Sequence, residues 1–136
     1  MSGRKKRAEL LDRFSSRYAE EGTDAGLQVE RKVIGANVGA NGYTTLAQAD
    51  RLVEALNLSP TSHLLDLGSG RGWPGLHLAA RAGCHAVLID VPEAAVRTAR
   101  GRSAEASDQV AVARASATHL PFAARSFDAI CHADTL

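Results

Sequence analysis

The chain has 136 residues, of which 45% are hydrophobic and 23% charged, and its formal net charge is +1. This length predicts one domain with a core of its own, and the ordinary composition excludes a disordered chain and a membrane-spanning segment. The near-zero net charge argues against a partner that is held mainly by electrostatic attraction, such as nucleic acid.

The first 43 residues predict an N-terminal helix and a glycine-rich lid segment, ahead of a core that spans 44–136. The basic cluster from Arg4 to Arg7 predicts a frayed, solvated tail. Residues 22–42 hold five glycines and little periodicity, which predicts a mobile loop of the kind that covers a binding site. The helix is expected over 8–21, where the apolar stripe consists of Leu10, Leu11, Phe14 and Tyr18.

The rest of the chain predicts strands and helices in alternation. A helix is expected over 44–58, with Thr44 or Thr45 as its cap. Two further helices are expected from Pro74 and from Pro92, because proline suits the first turn of a helix. Apolar runs predict four strands, at 64–67, 86–90, 110–113 and 127–131.

This order of elements determines the expected fold class. Strands that alternate with helices pair in parallel through right-handed crossovers. The expected fold is therefore α/β, with helices on both faces of a parallel sheet. In such sheets the ligand binds at the carboxyl ends of the strands.

Three alternate glycines, Gly68, Gly70 and Gly72, follow the first core strand. A buried strand that opens into a loop with few side chains and then into a helix is a ligand-binding arrangement. Dinucleotide enzymes use Gly-x-Gly-x-x-Gly, and Trp73 occupies the place of their third glycine. The loop is therefore a poor cradle for a pyrophosphate.

The second core strand closes with an acid, Asp90, followed by Val91 and Pro92. A carboxylate at this end of a strand can accept hydrogen bonds from both hydroxyls of a ribose, each worth about 1.5–3 kcal/mol. NAD and S-adenosylmethionine both carry this ribose. Asp90 alone does not distinguish them, whereas the glycine spacing does.

The run from Asp66 to Gly72 resembles motif I of class I S-adenosylmethionine-dependent methyltransferases, whose loop wraps the methionine part of the cofactor. The resemblance implies a Rossmann-like fold, S-adenosyl-L-methionine as the cofactor and methyl transfer to a small-molecule acceptor. The chain lacks an Asn-Pro-Pro-Tyr-like run, which disfavours amino groups of nucleic-acid bases as acceptors. The implied cofactor-binding residues of the two strand ends are Asp66, Gly68, Ser69, Gly70, Arg71, Gly72, Trp73, Asp90 and Val91.

Two more segments are similar to the family. Residues 39–44 resemble the segment that folds over the cofactor, so Tyr43 is expected either to contact the methionine end with its hydroxyl or to anchor the loop by its ring. Ser116 and Ala117 lie where an acidic side chain and the next backbone N–H meet the adenine ring in the family. Ser116 replaces the acid, and its hydroxyl can still bond to the exocyclic amine.

His132 lies at the end of the fourth predicted strand, where that strand would open onto the acceptor. It is a candidate general base, with Asp134 to orient it. The alternative is an ordinary loop histidine, because a sulfonium donor already carries a good leaving group and transfer depends mostly on in-line placement.

The two cysteines, Cys84 and Cys131, lie far apart and form no Cys-x-x-Cys pair. Neither they nor the five histidines show a spacing that suits zinc, so no metal site is expected. The basic start of the chain is followed by Glu9 and Asp12 instead of an apolar run, which is unlike a signal peptide. A cytoplasmic protein with reduced thiols is expected.

The resemblance covers residues 37–136 and stops after the fourth strand, so only the N-terminal, cofactor-binding half of the family fold is expected. The strand at 127–131 would then be an edge strand with open N–H and C=O groups, which predicts a homo-oligomer that pairs through this edge. Two alternatives stay open. One is a non-catalytic, truncated S-adenosylmethionine-binding domain that acts through self-association, and the other is a sheet domain whose glycines serve only a tight turn.

Overall fold

A computed structural model of the chain describes residues 2–19, 22–40 and 42–133. Four parallel strands form one sheet in the order β3-β2-β1-β4. In its centre, Leu65 of β1 pairs with Val87 of β2 on one side and with Ile130 of β4 on the other. The predicted parallel α/β sheet is confirmed. The strands are β1 His63–Leu67, β2 His85–Asp90, β3 Val110–Arg114 and β4 Ala129–His132.

Five helices are present in the described part of the chain. Helices α4 and α5 cross from β1 to β2 and from β2 to β3, and they lie side by side against the sheet, while α3 packs on α4 and α1 on α5. Residues 115–128 return from β3 to β4 without forming a helix. The helices are α1 Ser2–Ala19, α2 Asp24–Ile34, α3 Leu46–Ala55, α4 Gly75–Ala82 and α5 Glu93–Ala106.

The core lies between the sheet and α4, and β1 runs through its middle. Leu64, Leu65 and Asp66 are all completely buried, which explains why this strand is an apolar run with only one polar residue. The side chains packed between β1, β2, β4 and α4 are Leu64, Leu78, Ala79, Cys84, Ala86, Leu88 and Cys131.

The N-terminal region is more helical than its sequence predicts. Arg4 to Arg7 belong to α1 instead of forming a frayed tail, since lysine, arginine, alanine and glutamate all favour helix. Helix α2 occupies half of the predicted loop. The Thr23 hydroxyl caps it by accepting a 3.1 Å hydrogen bond from the Gly26 amide, and Gly35 ends it with a left-handed φ of 99°.

The apolar stripe expected on the first helix is only partly a packing surface. Leu10 is 50% exposed, whereas Leu11 is half-buried. The side chains of Phe14 and Tyr18 lie outside the described residues. No helix in the described ranges is both long and apolar enough to cross a bilayer.

Two side chains determine where core elements begin. Thr45 forms a capping box with Gln48, so α3 starts at Leu46. The Asp128 carboxylate accepts a 2.8 Å bond from the His63 amide, and the Asp128 amide donates to the His63 carbonyl at 2.8 Å. Strand β4 therefore begins at Ala129 and not at the predicted residue 127. Phe127 instead packs edge-on against Phe122, with ring centroids 5.1 Å apart.

Candidate functional site

The predicted site residues converge on the carboxyl edge of the sheet. The parallel register places Leu67 opposite both Ile89 and His132, and Asp90 opposite Arg114. The segments that follow β1, β2 and β3 and the end of β4 therefore meet along one edge. This is the edge at which parallel α/β sheets bind ligands.

The glycine loop is a tight turn that glycine alone adopts easily. Gly68, Gly70 and Gly72 have φ values of 67°, 55° and 105°. At Gly72 an added Cβ would lie 2.6 Å from Leu76 Cδ1. The Ser69 amide donates to the Ile89 carbonyl at 3.0 Å, and its side chain is only 2% exposed. Ser69 thus fastens the loop to β2 from inside.

Asp90 makes the second contact that holds the glycine loop against β2. Its Oδ2 accepts a 2.8 Å bond from the Gly70 amide, and its Oδ1 accepts a 2.7 Å bond from the Val91 amide. Burial raises the pKa of this carboxyl, and the two amide bonds oppose the rise. A carboxylate accepts about four hydrogen bonds. Two acceptor positions are therefore left for hydroxyl groups of a ligand.

Asp66 lies beneath the loop and has no exposed atom to offer a ligand. Its Oδ1 accepts a 3.5 Å bond from the Cys131 thiol. Its Oδ2 lies beside the backbone of Gly75, at the start of α4, and has no hydrogen-bond partner among the described residues. Burial raises the pKa of Asp66 to about 7, the Cys131 thiol and the Gly75 amide lower it, and the charge of Asp90 raises it.

Trp73 connects the glycine loop to the N-terminal segment. Its indole Nε1 donates to the Thr44 carbonyl at 2.9 Å, and its ring packs against His77 at 5.3 Å between centroids. His77 Nε2 lies 2.7 Å from Asp50 Oδ1, which links α4 to α3. The sequence indicates Trp73 as a substitute for a third glycine and as an implied cofactor-binding residue, but no spacing signals its bond to the distant Thr44 carbonyl.

The end of β3 and the turn after it are held against the end of β2 by two hydrogen bonds. The Ala115 amide donates to the Asp90 carbonyl at 3.1 Å, and Arg114 Nε donates to the Val91 carbonyl at 2.8 Å. The Ser116 hydroxyl lies 2.8 Å from the Thr118 hydroxyl, and Ala117 is exposed. Ser116 and Ala117 are thus adjacent to Asp90, and Arg114 is a supporting residue that the sequence analysis missed.

His132 and Tyr43 are the two candidates nearest to solvent. His132 is exposed at the end of β4, next to the end of β1, and its expected partner Asp134 lies outside the described residues. Tyr43 is 81% exposed, so its ring does not anchor the segment by burial. In the described ranges, no group of three or more His, Cys, Asp or Glu side chains is arranged to hold a metal ion.

The carboxyl edge, the three-glycine loop and the acid that clamps it define an α/β domain for a nucleoside-containing ligand. The profile of a family described as methyltransferase domain matches residues 64–136. The chain belongs to this family, which confirms the resemblance of its glycine loop and shows that it carries a methyltransferase domain. Among proteins with curated descriptions, none matches the chain.

Solved structures support the same fold. An RNA methyltransferase from Salinibacter ruber, crystallised with S-adenosyl-L-homocysteine, is 29% identical over 57% of this chain and 52% of its own, with a TM-score of 0.54. A methyltransferase from Thiobacillus denitrificans in complex with the same molecule is 21% identical over 79% of this chain and 43% of its own, with a TM-score of 0.62. A phosphoethanolamine N-methyltransferase from Haemonchus contortus is 17% identical over 93% of this chain and 25% of its own, also at 0.62. The chain spans about half or less of the length of these structures.

Proposed function

We propose that the chain binds S-adenosyl-L-methionine at the carboxyl edge of its sheet and takes part in methyl transfer from it. The bound cofactor would supply a methyl group on a sulfonium, which leaves readily. Support comes from the family, from the Salinibacter ruber structure with its bound S-adenosyl-L-homocysteine, and from the geometry of the site.

The observation that carries the proposal is the position of Asp66 under α4. In dinucleotide-binding folds the amide end of this helix faces the pyrophosphate. Here the Asp66 carboxyl lies against Gly75 at that end, so a side chain of the chain itself occupies the place where a phosphate would bind. The loop above it, in which every second residue lacks a side chain, is proposed to take an uncharged or zwitterionic group. This favours the amino-acid tail of S-adenosylmethionine over two linked phosphates.

Each residue of the edge then has a proposed task. Asp90 accepts hydrogen bonds from the ribose hydroxyls, and Ser116 and Ala117 face the adenine with a hydroxyl and a backbone N–H. The loop glycines and Arg71 surround the methionine end, with Tyr43 next to them. Asp66 and Ser69 are buried and support the loop from behind, whereas Trp73 is only half-buried and is proposed to contact the cofactor. His132 is exposed on the acceptor side and is the proposed proton acceptor where the acceptor atom carries a proton.

A small-molecule acceptor is part of the proposal. The net charge of +1 provides little attraction for a phosphate backbone, although the Salinibacter ruber structure is described as an RNA methyltransferase. Transfer of a labelled methyl group from S-adenosylmethionine into RNA would contradict the proposed acceptor class.

We also propose a cytoplasmic location. Both cysteines are free thiols, which fits a reducing cytoplasmic compartment.

Calorimetric titration of the chain with S-adenosylmethionine tests the cofactor. Asp90→Ala should weaken binding about tenfold or more, because it removes the ribose acceptor and releases Gly70. Asp108→Ala is the matched control, since Asp108 is exposed in the turn before β3 and should leave affinity unchanged. Binding of NAD without binding of S-adenosylmethionine would refute the proposal.

The exposed edge of the sheet favours a second candidate, a cofactor-binding domain that acts through self-association. Strand β4 is the outer strand of the described sheet, and Ile130 on it is 52% exposed. Open N–H and C=O groups on such a strand are a template for another strand. We propose a homo-oligomer that pairs through β4, so sedimentation at micromolar concentration should show a dimer or larger. A well-behaved monomer would rule this out.

A further inference from the structure

The segment between α2 and α3 is held by side chains from two helices, the preceding α2 and the more distant α5. The Val38 and Ala40 amides both donate to Glu30 Oε1 on α2, at 3.1 Å and 2.8 Å. The Val38 carbonyl accepts a bond from Arg102 Nη1 on α5. Three backbone groups of residues 38–40 therefore depend on two side chains, and we call this arrangement the strap latch.

Gly39 lets the latch close tightly. It has a left-handed φ of 67°, and an added Cβ would lie 2.5–2.9 Å from the guanidinium atoms of Arg102. Only a residue without a side chain allows the backbone to come so close to the arginine. The fit of Gly39 and Arg102 indicates a specific contact and not a chance approach of a surface arginine.

The latch lies beside the glycine loop. Burial lowers the pKa of Arg102, the nearby charge of Arg71 lowers it further, and the charge of Glu30 raises it. Arg71 belongs to the glycine loop, and Val38 and Arg102 of the latch line the same cavity as Gly72 of that loop. Trp73, just after the loop, holds the Thr44 carbonyl. The segment is thus fastened to the core on both sides of Tyr43.

We infer that Glu30 and Arg102 are positioning residues for the cofactor site, because they hold residues 38–40 in place beside the glycine loop before the cofactor binds. This inference rests on the proposed binding of S-adenosylmethionine. A segment that is ordered in advance need not be ordered on binding, and fixing the backbone of one residue corresponds to about a five- to thirtyfold change in an equilibrium constant. The latch therefore raises cofactor affinity without touching the cofactor.

Arg102→Met tests the latch, with Arg100→Met as the matched control. Both arginines are on α5, but Arg100 donates to the Val112 carbonyl at the sheet, at 3.2 Å. Arg102→Met should weaken S-adenosylmethionine binding about tenfold and speed amide exchange at Val38 and Ala40. Arg100→Met should change neither. Arg102→Lys keeps a charged donor and should recover part of both losses.

A second variant guards against a folding defect. Glu30→Leu removes the acceptor from α2 and leaves α5 intact, and it should give the same loss of affinity and of amide protection as Arg102→Met. The double variant should be no worse than either single one, since both break one latch. If both Arg102→Met and Glu30→Leu bound S-adenosylmethionine as tightly as the parent, the inference about the latch would be wrong, and the proposed function would be unaffected. Failure of the parent chain to bind S-adenosylmethionine would overturn the proposed function, and the inference with it.

Discussion

Replacing Gly75 with alanine is expected to lower the free energy of unfolding by about 2–3 kcal/mol. Gly75 begins α4 directly above the buried carboxyl. An added Cβ would overlap Asp66 Oδ2 and lie 3.0 Å from Leu88 Cγ. Neither neighbour can move away easily, because Asp66 and Leu88 are both completely buried. The new methyl group therefore forces α4 away from the sheet.

Urea unfolding monitored by circular dichroism measures this loss, and Gly101→Ala is its control. Gly101 lies within α5, where an added Cβ would meet nothing within 4 Å. There the same substitution should raise stability by about 0.5–1 kcal/mol, since alanine favours helix over glycine. Equal effects of the two substitutions would contradict the close packing of α4 on Asp66.

The second large effect is a pH dependence that comes from Asp66. Its pKa is about 7 in the folded chain, against 3.8 for an aspartate that is not buried. Between these two values the folded chain holds a proton that the unfolded chain has released. Stability due to this group is therefore fully present below pH 3.8, falls as the pH rises, and is lost above about pH 7, by roughly 4 kcal/mol in total.

Asp66→Asn should remove this dependence, because an amide has the shape of the carboxyl but does not titrate. Relative to the parent, the variant should gain roughly 4 kcal/mol in unfolding free energy between pH 4 and pH 8. Denaturant unfolding at several pH values measures it. Asp108→Asn, at an exposed position, should run parallel to the parent. A constant difference between Asp66→Asn and the parent at all pH values would show that folding does not change the pKa of Asp66.

Much of the core and of the cofactor edge could be predicted from the sequence, because local signals determine it. Apolar runs separated by proline and glycine predict the strands, and parallel pairing follows from their alternation with helices. The three alternate glycines form the loop at the end of β1, as predicted, and the structure shows that all three have positive φ. Asp90 lies against Gly70 because the carboxyl ends of adjacent parallel strands must meet.

The remaining features depend on contacts between distant parts of the chain. Nothing near Asp66 in the sequence shows that its carboxyl turns under α4 and meets the thiol of Cys131. The bond from Arg102 to the Val38 carbonyl joins residues 64 positions apart. Helix α2 could have been predicted, because Thr23 and Gly35 are residues that commonly begin and end a helix. The high glycine content of this region instead favours the prediction of a loop.

The negative charge of Asp90 is one of the causes that hold a proton on Asp66 near neutral pH. A ligand that bonds to Asp90 changes the electric field that this charge produces, and it therefore changes how firmly Asp66 keeps its proton. By reciprocity, the protonation state of Asp66 alters the affinity for that ligand. Ligand binding at Asp90 and protonation of the buried Asp66 carboxyl are therefore coupled, although no ligand atom reaches Asp66.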